Sequence, residues 1–294
     1  MKTLIEILIP YDSIAIAGMA KNVGKTTTLN HLIQGFGAHG IRLGLTSIGL
    51  DGEEIDAVTN TPKPRIFVPR GSIIATAERL LVQRDLFSIT KEILAVTDIG
   101  TPLGRVIVAR ALSSGFVQIA GPSIMEQIFV LTKDLRAFGA DKIIVDGAIG
   151  RKSLAMPDIA DAVVLATGAS LAKSVDNVIA QTRHIVDIFN LPTADIALPH
   201  ICIKGAVTDT KVADHYDKYI VAEDASKILL TPAAIQKISI RGGALAVRRS
   251  INLAAVTINP VSPHGHSFNA KDFLEKMRAA LPVPIFNIGG TSLC

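Results

Sequence analysis

A lysine followed by three threonines stands directly after a glycine, in a stretch whose composition suits the binding of phosphate. The stretch covers residues 18–27 and reads Gly-Met-Ala-Lys-Asn-Val-Gly-Lys-Thr-Thr. Glycine lets backbone N–H groups turn towards a polyphosphate, because it adopts dihedral angles that other residues avoid. Lys25 is positioned to reach the β- and γ-phosphates of a nucleotide, and the Thr26 hydroxyl to ligate Mg²⁺. The pattern predicts a phosphate-binding loop with Lys25 as its catalytic cation.

The glycine spacing of this loop differs from the usual phosphate-loop pattern. That pattern has a glycine five residues before Gly24, where this chain has Met19, and the first glycine here is Gly18. The alternative interpretation is a glycine turn before a helix, with Lys25 merely solvated. However, an apolar run precedes the loop and an amphipathic run follows it, which is the strand–turn–helix order that the motif requires. We therefore predict phosphate contacts from Gly18, Lys21, Asn22, Val23, Gly24, Lys25, Thr26 and Thr27.

A second acidic motif lies further along the chain. The apolar run Ile143-Ile144-Val145 ends in Asp146 and Gly147, which resembles a buried strand that delivers a carboxylate to bound Mg²⁺ or to the attacking water. A strand that ends in Asp-Gly is common, so this signal is weak by itself and gains weight from the phosphate loop. We predict that Asp146 is both a metal ligand and a catalytic residue.

Two further polar residues follow predicted strands. Asp51 comes after an apolar run at 41–49, so it is predicted to hold Mg²⁺ directly or through water, the alternative being a solvated acidic turn. Asn259 follows the run at 253–258 and is predicted to recognise the nucleotide base, because its amide offers both a donor and an acceptor. The alternative for Asn259 is a turn-forming Asn-Pro pair. His264 and His266 lack a nearby cysteine or paired carboxylate, which favours solvated side chains over a metal site.

Several basic side chains are candidates for steering an anionic ligand. They lie in two predicted loop regions and are Lys63, Arg65, Arg70, Arg151 and Lys152. Basic residues in loops are more often solvated than functional, so the pattern leaves their roles open.

The composition restricts the class of protein. The chain has 294 residues, of which 49% are hydrophobic, and this is enough to bury a large core. No apolar run approaches the roughly 20 residues of a membrane span. The apolar run at the N-terminus carries Glu6 and lacks a small-residue cleavage site, so we expect a cytoplasmic protein. The net charge of +4 is small and the chain has no tryptophan, which argues against nucleic-acid binding. The two cysteines have no reason to form a disulfide in a cytoplasmic protein.

The elements around the motifs alternate between strand and helix from about residue 13 to 190. This rhythm predicts an α/β fold with a mostly parallel sheet and helices on both faces. We expect one domain over 1–294 with an elaboration at about 200–250. Residues 1–12 are predicted as an edge strand or extended arm, and the apolar spacing from 74 to 95 predicts one or two helices.

The loop and the two acidic positions resemble those of the dethiobiotin-synthetase-like branch of the P-loop NTPases. That branch includes cobyrinic-acid amidating enzymes, the nitrogenase iron protein and septum-site ATPases. The resemblance implies a three-layer α/β/α fold that uses ATP and Mg²⁺. The septum-site type has a lysine five residues before the loop lysine, where this chain has Ala20 and then Lys21. The sequence therefore leaves open whether a lysine acts across a subunit interface and whether the protein forms a homodimer.

A closer resemblance is to the ATPase subunits of lysine 5,6-aminomutase reactivases. It rests on residues 18–26, 98–123 and 146–168 and covers about half of the chain. The resemblance implies a protein that uses ATP to release damaged cobalamin from a B12-dependent aminomutase, together with a second reactivase subunit. Composition and spacing contain no sign of cobalamin, so that expectation comes from the resemblance alone.

The expected activity is Mg²⁺-dependent ATP hydrolysis, which substitution Lys25→Ala should abolish. A rival hypothesis is a synthetase that phosphorylates a small carboxylate or carbamate, with Lys63, Arg65 or Lys152 binding the anion. A third is a regulator that binds a nucleotide tightly and hydrolyses it slowly. The choice between adenine and guanine is open at this point.

Overall fold

A computed structural model describes residues 2–49, 65–83, 88–147 and 159–288. Its centre is a nine-stranded sheet in the order β16-β15-β9-β1-β8-β2-β4-β6-β5. The pairs from β16 to β4 are parallel, and β6 and β5 join antiparallel at one edge. These strands are β1 Ser13–Gly18, β2 Leu43–Ser47, β4 Ile73–Ala77, β5 Lys91–Thr101, β6 Gly104–Ala111, β8 Lys142–Asp146, β9 Ala162–Gly168, β15 Leu253–Asn259 and β16 Ile285–Asn287.

The strand β1 lies in the middle of this sheet, and all of its residues are buried. Its side chains alternate between the two faces, as they must in a strand. Ile14 and Ile16 pack into one apolar cluster, and Ala15 and Ala17 pack into another. A strand covered on both faces is therefore apolar along its central positions 14–17, which explains the continuous apolar run that precedes the phosphate-loop motif.

Helices cover both faces of the sheet. The first cluster contains residues of α1 Leu4–Leu8 and α2 Lys25–Ala38. The second contains residues of α4 Met125–Ala137, α5 Val175–Phe189 and α8 Ala270–Ala280. The α/β fold predicted from the sequence, with a mostly parallel sheet between helical layers, is confirmed.

The N-terminal residues form a helix, so the predicted edge strand or arm at 1–12 is wrong. The hydroxyl of Thr3 accepts a hydrogen bond from the backbone N–H of Glu6, and the Glu6 carboxylate accepts one from the Thr3 backbone. This capping box satisfies two helix N–H groups and starts α1. Leu4 and Leu8 then face the core on one side of the helix, and this packing prevails over the β-favouring isoleucines.

The helices predicted between 74 and 95 are also largely wrong. The residues of β4 are fully buried and pair with β2 on one side and β6 on the other. Among the residues that the structure describes between β4 and the start of β5 at Lys91, the short helix α3 Glu78–Val82 is the only helix. Apolar residues at helical spacing also suit a strand that is buried on both faces. Here the pairing with strands from distant parts of the chain favours the strand over the helix.

The region 193–249 builds smaller structures beside the main sheet. A three-stranded parallel sheet has the order β10-β12-β14, and β11 pairs with β13. The elements are β10 Ile201–Cys202, β11 Val207–Thr208, α6 Asp209–Val212, β12 Tyr219–Asp224, a 3-10 turn Ala225–Lys227, β13 Ile228–Leu229, α7 Pro232–Ile240 and β14 Ala244–Arg249. The single-domain organisation of 1–294 with an elaboration here stays a prediction.

One further strand pair lies near the start of α2. The strands β3 Ile66–Val68 and β7 Gly115–Val117 pair antiparallel, and the rings of Phe67 and Phe116 meet edge to face.

Among the helices that the structure describes, none is long and apolar enough to cross a membrane.

Candidate functional site

The loop at 19–24 connects the end of β1 to the start of α2. Two of its residues have positive φ angles, Asn22 at 61° and Gly24 at 91°. Gly24 is the residue that caps α2, and it provides no side-chain hydrogen bond to the helix N-terminus. The first turn of α2 also contains no acidic residue. The positive end of a 14-residue helix is therefore not neutralised by its own side chains, as anion binding requires.

The side chain of Lys25 folds back over the end of β1. A Cβ atom added to Gly18 would lie 2.5 Å from both Cγ and Cδ of Lys25, which is closer than atoms in contact can approach. Glycine at 18 is thus required by the path of the lysine stem. The first glycine of the motif, one residue earlier than in the usual pattern, has this role here.

The folded lysine brings its charge close to the second predicted motif. The Lys25 Nζ lies 3.8 Å from Oδ1 of Asp146, and about one fifth of each side chain is exposed. Asp146 is the last residue of β8, which pairs with β1 so that Asp146 is level with Ile16. The structure therefore brings together the two residues that the sequence predicted as catalytic.

A third strand end lies beside Asp146. Ser47, the last residue of β2, is level with Asp146, and its hydroxyl donates to the carbonyl of Ile119 and accepts from the N–H of Gly121. A Cβ at Gly121 would overlap the Ser47 carbonyl oxygen, so the chain at 119–122 lies directly against this strand end. Nothing in the local sequence around Gly121 indicates this contact, because Ser47 is far away in the chain.

The wall on the other side of the loop comes from two more strand ends. Asn259 ends β15 and lies against Gly24, where a Cβ would be 3.0 Å from the Cβ of Asn259. The Asn259 amide donates to the carbonyl of Asn22 at 3.5 Å and accepts from the N–H of Val261 at 3.1 Å. Both ends of this amide are engaged within the chain, and base recognition by Asn259 stays a prediction. Ser170, which the sequence analysis missed, donates to the same Asn22 carbonyl at 3.0 Å.

The remaining predicted residues differ in their surroundings. Val23 is buried, Thr26 is half-buried, and Lys21 and Thr27 are exposed. His266 bonds the carbonyl of Ala169 at 2.8 Å. Arg65, Arg70 and His264 are exposed. Asp51, Lys63, Arg151 and Lys152 lie outside the part of the chain that the structure describes.

Comparisons with known proteins found little similarity. No protein-family model matches the chain, and no curated protein matches it. One solved structure aligns with it, the signal recognition particle receptor FtsY from Elizabethkingia anophelis, at 13% sequence identity and a TM-score of 0.32. The alignment covers 90% of this chain and 64% of the receptor, so the chain spans less than two thirds of that protein's length.

Proposed function

We propose that the protein binds a nucleoside triphosphate together with Mg²⁺ at the carboxyl ends of β1, β8 and β2, and hydrolyses it. One observation carries this proposal: Lys25, at the start of α2, lies over Gly18 with its ammonium 3.8 Å from Asp146. A lysine at a helix N-terminus and a carboxylate on the adjacent strand are the two charges that phosphoryl transfer needs at one place. The P-loop motif of residues 18–27 supports the same interpretation.

The phosphates are proposed to lie in the loop at 19–24. The positive φ angles of Asn22 and Gly24 turn successive peptide groups, and such a series of N–H groups attracts anions. The N-terminus of α2 adds its dipole to this field. Lys25 then exchanges its contact with Asp146 for the terminal phosphates, where its charge stabilises the transferred phosphoryl group.

The residues that would hold Mg²⁺ are a hydroxyl and a carboxylate. Thr26 is half-buried in the first turn of α2, and Asp146 ends the neighbouring strand, so oxygen ligands are available from both sides of the loop. Bound Mg²⁺ supplies positive charge that neutralises the phosphate oxygens. Asp51 remains a proposed third ligand. ATP is the proposed nucleotide, and the cytoplasm the proposed location.

The resemblance to reactivase ATPases supports a more specific proposal. In it, ATP hydrolysis drives the release of damaged cobalamin from a B12-dependent aminomutase, and a second subunit takes part. Part of the similar segment, residues 119–122, lies against the end of β2 beside Asp146. This contact places part of the similar segment beside the proposed nucleotide site. Hydrolysis that increases with an aminomutase carrying inactivated cofactor would support this role, and strict dependence on a small acid would favour a synthetase.

The experiment that tests the nucleotide proposal is phosphate release from ATP and GTP with Mg²⁺. Lys25→Met retains the apolar stem over Gly18 and removes only the charge, so turnover should fall at least about 100-fold while the fold is kept. Lys271→Ala, on the exposed surface of α8, is the matched control and should be unchanged. Equal turnover by Lys25→Met and the parent protein would exclude the proposed site.

A further inference from the structure

The carbonyl group of Asn22 has an unusual position in the phosphate loop. Asn22 is the one non-glycine residue with a positive φ among the described residues, at 61°. This left-handed conformation is strained for most residues, and asparagine tolerates it better than others. A conformation of this kind persists where surrounding contacts hold it.

Two side chains from outside the loop hold this carbonyl. The Ser170 hydroxyl donates to it at 3.0 Å, and the Asn259 amide donates at 3.5 Å. Both residues are half-buried. The two donors come from neighbouring strands, because Ser170 follows β9 and Asn259 ends β15.

The two donors are themselves fixed to each other. The N–H of Ala169 donates to the Asn259 carbonyl at 2.9 Å, and a Cβ at Gly168 would overlap that carbonyl oxygen. The Asn259 side chain is held from the other end by the N–H of Val261. The ends of β9 and β15 therefore form one rigid wall against the loop.

This wall determines where the next backbone N–H points. In a planar trans peptide the N–H of Val23 is opposite to the carbonyl of Asn22, so it points away from the wall. A carbonyl turned towards a bound phosphate would repel it, whereas an N–H group attracts it. The wall thus holds the Asn22 carbonyl away from an anion in the loop.

We propose that Ser170 and Asn259 are positioning residues that hold the Asn22–Val23 peptide in its anion-binding orientation before a nucleotide arrives. This proposal rests on the proposed function for its ligand. It gives Asn259 a role at the phosphates instead of the base. A preformed loop binds more tightly because it loses less conformational freedom on binding.

The test combines two measurements on the full chain. Hydrogen exchange of residues 19–24 is measured without nucleotide, and the affinity for ATP and GTP with Mg²⁺ is measured by calorimetry. Ser170→Ala should increase exchange in the loop and weaken nucleotide binding about three- to tenfold, which is the effect of losing one hydrogen bond. The Michaelis constant of Ser170→Ala should rise more than its kcat falls, because the loop of the variant is less ordered than the parental loop before binding.

Three variants complete the design. Asn259→Asp keeps the acceptor for Val261 and removes the donor to Asn22, so its loop exchange should increase as in Ser170→Ala. Its nucleotide affinity should fall further than that of Ser170→Ala, because the added carboxylate repels the phosphates. Ser170→Thr retains the hydroxyl and should restore binding. Ser239→Ala, on the exposed side of α7, should behave like the parent protein. Because Ser170 and Asn259 bind one carbonyl, the double variant should lose less than the product of the single losses.

The outcomes separate this proposal from the proposed function. Unchanged loop exchange in Ser170→Ala would overturn the positioning role, whatever the protein binds. Increased exchange with unchanged nucleotide affinity would overturn it as well. If the parent protein binds neither ATP nor GTP, both proposals fail, and increased exchange would then identify only a structural restraint on the loop.

Discussion

At the scale of single residues, Lys25 combines two functions in one side chain. Its aliphatic stem covers Gly18, and its ammonium lies near Asp146. The stem fixes the direction of the charge, because a lysine packed along its length has fewer rotamers than a solvated one. Position 18 therefore controls the charge at the site without contacting a ligand through a side chain.

Substitution Gly18→Ala should misplace that charge. The added Cβ would lie 2.5 Å from the lysine stem, and the stem can move because it is flexible, so the fold should survive. We expect nucleotide turnover to fall at least about tenfold with a small change in melting temperature. Gly100→Ala is the control, since a Cβ there meets nothing within 4 Å. Parental turnover in Gly18→Ala would show that the path of the stem is unimportant.

The sequence was most informative for residues that a local pattern identifies. The phosphate loop and Asp146 each follow their own apolar strand, so local pattern was enough to select them. Ser170 and Gly121 were missed because their contacts, with Asn22 and Ser47, join distant segments. A serine in a polar turn carries no local sign of such a contact.

At the scale of elements, a buried hydrogen bond attaches the loop helix α2 to the sheet. The hydroxyls of Thr28 and Thr257 lie 2.8 Å apart, and each residue is at most 2% exposed. Thr28 is one turn after the loop, and Thr257 lies on β15. This pair sets the height of α2 over the sheet and thereby the position of Lys25.

Each single valine substitution in this pair should destabilise the protein. Thr28→Val leaves the Thr257 hydroxyl buried without its partner, which should lower the free energy of unfolding by about 1–3 kcal/mol. Thr257→Val should have a similar effect. The double variant should lose less than the sum, since no polar group is then left unpaired. Urea unfolding of the four proteins measures this, and strictly additive losses would contradict the pairing.

A second attachment holds the N-terminal helix α1. The ammonium of Lys142, which is 4% exposed, donates to the carbonyls of Leu8, Ile9 and Tyr11 at the end of that helix. Burial lowers the pKa of Lys142 below its ordinary value. A charged group is retained there because it satisfies three carbonyls at a helix end.

Substitution Lys142→Met should loosen α1. The methionine fills much of the same volume without a donor, so we expect a loss of about 1–3 kcal/mol in unfolding free energy. Hydrogen exchange in residues 4–9 should increase more than elsewhere. Lys276→Met, on the exposed side of α8, is the control. Uniform exchange changes along the chain would indicate that Lys142 does not act on α1 in particular.

The elements themselves were only partly predictable. The strand β8 was recognised because it is a continuous apolar run next to a turn signal. The same rule failed at β4, where pairing with β2 and β6 outweighs a helical spacing. At α1 a capping box was present in the sequence as Thr3 and Glu6, and it was the informative signal there.

At the scale of the whole molecule, one half-buried histidine links stability to pH. Burial lowers the pKa of His31, on α2, below the ordinary value of 6.5. The folded protein therefore binds this proton less readily than the unfolded chain does. The contribution of His31 to stability is fully present above about pH 7. It declines as the pH falls through 6.5, until the folded-state pKa is reached.

Substitution His31→Gln should flatten this pH dependence. Urea unfolding between about pH 5 and 8 would show a smaller loss of unfolding free energy towards acid than in the parent protein. His264→Gln, at an exposed position, should keep the parental slope. A parental slope in His31→Gln would assign the acid sensitivity to other groups.

The central position of β1 has a consequence for biosynthesis. This strand pairs with β8 and β9, and the wall beside its loop ends at Asn259, so its neighbours are made long after it. During translation the ribosome releases β1 and the loop after it while the strands that flank β1 are still unmade. Contacts between such distant segments form slowly. Lys25 and Asn22 are therefore made long before Asp146 and Asn259, the residues that they contact in the folded protein, so this arrangement can form only after most of the chain has been synthesised.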